Sequence, residues 1–464
     1  MAHDRMNSFW TLASIARALG GGPCDDRPIR AVCTDTRAIE RGDLFVALKG
    51  EKFDAHDYLA AAVEKGAAAV VVHDAQRAAN LGVPVYVVAD TLHALGALGR
   101  ARRLAWNGPV VAVGGSNGKT STKELIRAAL GARLDVHATK GNLNNQIGVP
   151  LTLLGIPDGA DIAVVELGTN IPGEIALLRK IVEPTIAVVT TVQEEHLEGF
   201  GDLAGVMREE ASLLDCAPTA VIPTDEPALV SESVRRARRT VTAGLGAGDV
   251  MAASFGLEPD GTGWVVVNGT RLTIPLRGLH NLRNAMLALA VARELGVQIA
   301  DAGAAIAAMD MSRLPSMRSA VEQLGEALLI NDAYNSNPAS ARAALALLDQ
   351  IGAGRQRVAI LGTMRELGGH AVRAHAEVAR DALDSGASII AGIGEFAEAL
   401  RTAAPHDERV LVANDIDDLW PMLAPRLAAD AVILLKASRG VRLERLLPQL
   451  TAWASEEVSP YRTN

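Results

Sequence analysis

Between Val113 and Thr120 the chain reads Val-Gly-Gly-Ser-Asn-Gly-Lys-Thr. An apolar, strand-like run (Pro109–Val113) leads into it, and a helical pattern (Ser121-Thr122-Lys123-Glu124-Leu125) follows. A glycine-rich turn at a helix N-terminus directs several backbone N–H groups at one point, where the helix dipole also favours negative charge. Lys119 adds a mobile cation for β- and γ-phosphates, and the Thr120 hydroxyl suits Mg2+. Gly115, Ser116, Asn117, Gly118 and Ser121 complete the cradle. The usual spacing asks for glycine where Val113 stands, so Gly114-Gly115 gives a shorter Gly-x-x-Gly-Lys-Thr form. An ordinary β–α turn has no use for both Lys119 and Thr120, so the loop predicts a nucleotide site, with ATP as its ligand.

Two further strand ends carry polar residues at the edge where open α/β sheets bind ligands. Ile162–Val165 runs into Glu166-Leu167-Gly168-Thr169-Asn170. Ile186–Val189 runs into Thr190-Thr191 and then Glu195-His196-Leu197-Glu198-Gly199. Alone, an acid at a strand end serves equally as a helix cap or ion-pair partner, and a loop histidine as a surface residue. Placed after a phosphate loop, Glu166 and His196 read instead as Mg2+ ligands, direct or through water. Mg2+ takes few carboxylates beside phosphate oxygens.

The elements that must position these residues form an α/β protein of three domains, consistent with 464 residues. Residues 1–107 make a small N-terminal α/β unit with strand-like Asp43–Leu48 and Ala67–Val72. Residues 108–313 alternate strand and helix around the phosphate loop. Their near-continuous apolar strands suit a mostly parallel, ATPase-type sheet covered on both faces. The stretch 240–276, turn-rich and β-branched, reads as a small antiparallel insert or edge. An alanine-rich helix, Leu282–Leu295, is ended by Gly296. After a break at Arg313-Leu314-Pro315, residues 314–464 form a Rossmann-like unit. Its expected strands are Ala327–Asn331, Arg357–Leu361, Ser388–Ala391, Val410–Val412 and Ala431–Leu435.

Net charge is −9, with both signs interspersed, which argues against nucleic acid or a membrane surface as partner. Asp4, Arg5 and Arg17 make the N-terminal region amphipathic rather than a signal peptide. No apolar run approaches the ~18 residues of a membrane span. Cys24, Cys33 and Cys216 show no metal-like spacing and read as reduced thiols. A cytoplasmic monomer is the expectation.

Further segments carry a resemblance to a known family. They are Thr34-Asp35-Thr36-Arg37, Gly42–Gly50, Gly141–Pro150, His196–Gly199, His280-Asn281 with Asn284-Ala285, Asp332–Pro338, Leu361–Gly368 and Lys436–Arg439. In this order, nearly end to end, the chain resembles the Mur ligases, ATP-dependent amide-bond ligases of peptidoglycan synthesis. The closest likeness is to the branch that adds D-alanyl-D-alanine to UDP-N-acetylmuramoyl-tripeptide. The resemblance implies an acyl-phosphate intermediate, release of ADP and phosphate, and closure of the third domain over ATP. It implies ATP contacts from Asn281 and Asn284 (adenine), Asp332 (ribose), Asn335, and Arg318 (phosphates). It implies that Lys119, Glu166, His196 and Arg318 carry catalysis. Asn142, Asn145 and Gln146 would line the path of the UDP-sugar-peptide, Asp35, Thr36, Arg37 and Lys49 would hold its uridine end, and Asn337, Lys436 and Ser438 would contact substrate. Asparagine at i, i+3 near a helix start also serves as a cap, and Asp332–Asn335 would also make a turn.

One departure is chemically readable. Most family members place a lysine fourteen residues after the histidine matching His196, and its carbamate helps hold a second Mg2+. Here that count lands on Glu210. A glutamate supplies a permanent carboxylate, with a reach shorter by roughly 3–4 Å. The expectation is two Mg2+, held by Thr120, Glu166, His196 and Glu210, without a carbamylated lysine. The alternative is that Glu210 is a solvated helix residue. Thr363, where relatives have aspartate, and Ala437, where they have glycine, are smaller departures.

Three readings compete. Gly392-Ile393-Gly394-Glu395-Phe396-Ala397, with Asn414-Asp415 about twenty residues on, fits a dinucleotide fingerprint and would suit a dehydrogenase. Within the ligases the rivals are third-residue addition and folylpolyglutamate synthesis. The Asp-Asn-Pro-Arg motif of diaminopimelate-adding enzymes is absent, and Tyr334–Pro338 with Met364–Gly368 favours dipeptide addition. A catalytically silent UDP-sugar-binding regulator would explain Glu210 and Thr363, but not the retention of Lys119, Thr120, Glu166 and His196.

Overall fold

A computed structural model describes residues 9–314, 317–318 and 320–457. Asp4, Arg5 and Pro315 lie outside the described residues. The chain forms two compact units. One takes residues up to Val113 with Arg133–Thr169 and Gly173–Ala187; the other takes Gly114–Ala132, Asn170–Pro172 and residues from Val188 onward.

In the first unit four short strands, Val32–Cys33, Leu44–Val46, Ala69–Val72 and Val85–Val87, pair in parallel in that order. Leu44–Val46 and Ala69–Val72 are buried at every position, as strands covered on both faces require. Trp10, Ile15, Leu95 and Leu98 pack one face; Leu59, Ala62 and Ala78 pack the other. The same unit holds the strand Val110–Gly114, up to Val113, beside Ile162–Glu166, with Val136–Ala138 beyond, all parallel.

In the second unit Thr219–Pro223, Thr240–Leu245 and Val250–Ala252 pair in parallel. Ser254–Leu257, Thr262–Val267 and Thr270–Arg277 form a separate antiparallel sheet. The stretch 240–276 is therefore not one insert: its first two strands extend a parallel ladder, and only the alternating segment after Ala253 stands apart. The alanine-rich helix starts earlier than its sequence suggests, at Leu279, and runs to Glu294. Gly296 follows in the left-handed conformation, φ +78°.

The remaining sheet has six strands in the order Ala320–Leu324, Ala327–Asp332, Val432–Lys436, Arg357–Gly362, Ile389–Ile393 and Val410–Ala413. All neighbours are parallel except the first pair. Each strand runs one or two residues past its expected C-terminal end, which carries Asp332, Gly362, Ile393, Ala413 and Lys436 to one edge of the sheet. Ala320–Leu324 has no sequence signal of its own, since it is a half-exposed edge that pairs through Gly325 with its successor. No helix among the described residues is long and apolar enough to cross a membrane.

Candidate active site

The strand Val110–Gly114 delivers the phosphate loop to the helix Lys119–Leu130. Gly118 caps that helix in the left-handed region (φ +81°), and a Cβ there would also come within 2.8 Å of the Asn284 amide. Lys119 folds back on its own loop, its Nζ donating to the carbonyls of Gly115 (2.5 Å) and Ser116 (3.2 Å). Thr120 is buried.

Two buried carboxyls face this cation. Glu195 Oε1 lies 3.8 Å from Lys119 Nζ, and its Oε2 lies 3.9 Å from His196 Nε2. Burial pushes the Glu195 carboxyl up against the pull of Lys119 and His196. Glu210, on the helix Leu203–Ala211, accepts the Gly115 N–H across 2.7 Å; its Oε1 is buried with no hydrogen-bond partner. Burial pushes Glu210 up to about 7, again against Lys119. The solvated reading of Glu210 is therefore wrong: the residue is 1% exposed.

His196 has a left-handed backbone (φ +49°) and opens the short helix Leu197–Phe200. Its Nδ1 is ion-paired with Glu366. Burial pulls the imidazole down, but the hydrogen bond to Glu366 and the charges of Glu195 and Glu366 outweigh it and hold His196 above its ordinary value. The Glu366 segment lies along the whole His196 turn. The Glu366 carbonyl accepts the Glu198 N–H (3.1 Å), His370 Nε2 meets the Gly201 carbonyl (2.9 Å), and Arg373 pairs with Glu194 (2.8 Å).

Asn281 and Asn284 are buried near the start of their helix, but neither caps it; that place belongs to Gly278, without a side-chain bond. Asn281 Nδ2 donates to the Arg277 carbonyl (2.8 Å), and Asn284 Nδ2 donates to Asn281 Oδ1 (3.0 Å). The Lys436 ammonium, 3% exposed, donates to Asp332 Oδ2 (2.7 Å) and the Asn335 carbonyl (2.8 Å). The Arg318 guanidinium lies 4.5 Å over the Tyr334 ring. Asn337 caps the helix Pro338–Ile351 and exchanges amide hydrogen bonds with Asn117 of the phosphate loop at 3.0 and 3.3 Å. Ser438 Oγ accepts the Arg365 N–H at 2.9 Å.

In the first unit, Glu166 ends its strand fully buried, its Oε1 accepting from Asn144 Nδ2 (2.9 Å) and its N–H donating to Thr139 Oγ1 (3.0 Å). Gln146 donates to Glu174 Oε1 (3.0 Å), whereas Asn145 Oδ1 accepts the N–H groups of Ile147 and Gly148 and so starts a helix. Asn142 is exposed. Asp35 and Arg37 form an exposed ion pair, the Thr36 carbonyl accepts from Lys65, and Lys49 is exposed at a bridge to Asp54.

Among the described residues no three His, Cys, Asp or Glu side chains form a metal-binding group. Mg2+ arriving with a nucleotide would take phosphate oxygens and water for most of its sphere. The orphaned Glu210 Oε1 fits such a cation; His196 Nδ1, occupied by Glu366, does not.

The dinucleotide fingerprint has structural uses. Gly392 lets its strand pack closely, since a Cβ would come within 2.7 Å of Leu400, and Asp415 caps the helix Ile416–Leu423. Beside it a cavity of about 440 Å³ is lined by Thr363, Arg365, Gly394, Asn414, Asp415 and Arg445. Sequence reasoning missed the roles of Glu195, Glu366, Arg365 and Arg445. Adjacency to His196 was a signal for Glu195, and the Met364–Gly368 segment was one for Arg365 and Glu366, though not for what they touch; Arg445 had none.

Three family models match the chain: "Mur ligase family, catalytic domain" over residues 28–103, "Mur ligase middle domain" over 113–292, and "Mur ligase, glutamate ligase domain" over 317–439. The UDP-N-acetylmuramoyl-tripeptide–D-alanyl-D-alanine ligase of Bacillus subtilis is 33% identical, the match covering 91% of this chain and 93% of that one. Its Escherichia coli counterpart is 34% identical over 92% and 94%. Among solved structures, MurF from Acinetobacter baumannii superposes with a TM-score of 0.87 at 30% identity, covering 96% and 99% of the two chains. MurF from Thermotoga maritima in complex with ADP gives 0.80 at 27%, covering 92% and 98%.

Proposed function

Since this chain belongs to the Mur ligase family, we propose that it joins D-alanyl-D-alanine to UDP-N-acetylmuramoyl-tripeptide in the cytoplasm, with cleavage of ATP to ADP and phosphate. The observation that carries this reading is the set of buried Glu195 and Glu210 with half-buried Lys119 and His196 at the phosphate loop. It stands in a chain alike to ligases named for this reaction over more than nine-tenths of its length.

Attack of the peptide carboxylate on the γ-phosphorus brings two anions together, so the site must supply positive charge. Lys119 leaves its loop carbonyls and follows the transferring phosphoryl group, while the loop N–H groups hold the ADP that leaves. The dipeptide amine then adds to the acyl phosphate, and phosphate departs from the tetrahedral state. Mg2+, bound with ATP through Thr120 and Glu210, would offset phosphate charge. Glu210 is the built-in replacement for a carbamate. Asn281, Asn284 and Asp332 hold the nucleoside, with Lys436 keeping Asp332 in place. The first 107 residues take the UDP end, residues 108–313 take ATP, and residues 314–464 take the dipeptide. The cavity carrying Arg365 and Arg445 suits its carboxylate.

The test is phosphate release from Mg-ATP by the purified protein, with UDP-peptide and D-alanyl-D-alanine supplied separately and together. Release that needs both is expected. Tight UDP-peptide binding without release would leave a binding protein and overturn the ligase reading.

A further inference from the structure

His375 sits on the helix Ala371–Asp384 with its side chain 1% exposed. Its Nε2 accepts the backbone N–H of Met364 across 2.9 Å. Its Nδ1 lies 2.8 Å from the Ala371 carbonyl, one helical turn back. Only the neutral tautomer protonated at Nδ1 satisfies both contacts. Burial favours that neutral form, and Phe396 packs edge-on at 4.8 Å. Glu395 Oε2, 3.3 Å from Nδ1, is the charged group facing the ring.

The loop that His375 holds is fixed on its other side by Ser438. Ser438 Oγ accepts the Arg365 N–H, and the Ser438 N–H donates to the Thr363 carbonyl at 3.2 Å. Two functional side chains project from this clamped backbone. Arg365 lines the cavity and donates to the Gly440 carbonyl at 3.3 Å; Glu366 reaches His196. A buried histidine thus stands behind two side chains that it does not touch.

The geometry points to His375 as a positioning residue: it holds the Thr363–Glu366 loop so that Arg365 faces the cavity for the incoming dipeptide while Glu366 engages His196. This assignment rests on the proposed ligase reading. Losing the Met364 hydrogen bond frees a buried N–H and lets the loop drift, a loss that falls on dipeptide binding rather than on ATP.

The test compares H375L, which removes the acceptor at similar volume, with H375Q, whose side-chain oxygen can still accept. With each substrate varied in turn, H375L should raise the KM for D-alanyl-D-alanine about tenfold and lower kcat, leaving the KM for Mg-ATP within about twofold. H375Q should recover most of the loss. Equal KM values for H375L and wild type, or H375Q no better than a well-folded H375L, would overturn the role. Should H375L not fold, H375Q decides: near-wild-type kinetics support the assignment, and a tenfold dipeptide KM in a folded H375Q overturns it. Hydrogen exchange at the Met364 amide, faster in H375L, tests the clamp without any turnover. Unchanged protection there sinks the positioning role, whereas an inactive wild type sinks only the ligase reading.

Discussion

Glu210 accepts the Gly115 N–H across 2.7 Å and keeps its second oxygen buried without a partner. The phosphate loop and the acid are thus coupled before any ligand arrives. A Cβ on Gly114 would already lie 3.2 Å from that carboxylate, so the site is drawn in to a short side chain. Because Glu210 needs no CO2 to become an acid, initial rates should be equal in CO2-depleted and bicarbonate-supplemented buffer. Stimulation by bicarbonate would end the replacement role. E210A should lower turnover about a hundredfold or more, with no rescue by bicarbonate.

The same burial gives a pH signature. Above the ordinary glutamate value of 4.5 the unfolded chain has lost this proton, while folded Glu210 keeps it until about 7. The folded state then binds more protons, so stability falls as pH rises through that window, by about 1.4 kcal/mol per unit for one such group. Thermal melts from pH 4.5 to 7 should show E210Q losing this part of the slope. Parallel wild-type and E210Q curves would mean that Glu210 ionises normally.

Asn337 performs two tasks that substitution can separate. It caps the helix Pro338–Ile351 and pairs with Asn117. N337A should cost about 1–2 kcal/mol of stability and raise the KM for ATP. N337D keeps a good cap but cannot donate to Asn117 Oδ1, so it should retain most of the stability while still raising that KM. Denaturant melts decide it; equal destabilisation by both changes would show that the cap is not what Asn337 contributes.

Much of this was legible in the sequence because it is local. The phosphate loop, the apolar strands and the helix after Gly278 follow from glycine, lysine and hydrophobic runs within a few residues. The resemblance pointed to Asn281, Asn284, Asp332 and Lys436, which the structure joins as two pairs, Asn281 with Asn284 and Asp332 with Lys436. The edge strand Ala320–Leu324 was not legible, since it has no period or motif of its own, and the cavity was not, because Arg365, Gly394 and Asp415 belong to separate motifs that only the fold brings together. Glu210 was legible as a substitution but not as a buried one. Its helix looks amphipathic by count, and only its burial and its bond to the Gly115 N–H show which face is closed.

The pairing of His196 with Glu366 joins two segments far apart in sequence, and it changes what His196 does. With Nδ1 held by Glu366, the imidazole keeps Nε2 toward Glu195, and the ion pair holds its proton on. The sign of the linkage follows. A histidine whose folded value is raised adds stability that is full below about 6.5 and is lost as pH rises through the folded value. E366Q should therefore move the His196 titration, followed by NMR, downward and shrink that part of the pH dependence. Turnover should fall about ten- to a hundredfold with nucleotide binding little changed, because the loss concerns the orientation of His196 and the closure of its loop rather than the phosphate cradle. A His196 that titrates at the same pH in E366Q and wild type would show that the carboxylate of Glu366 does not control it, and that the turn is held instead by the Glu198–Glu366 backbone bond with the contacts of His370 and Arg373.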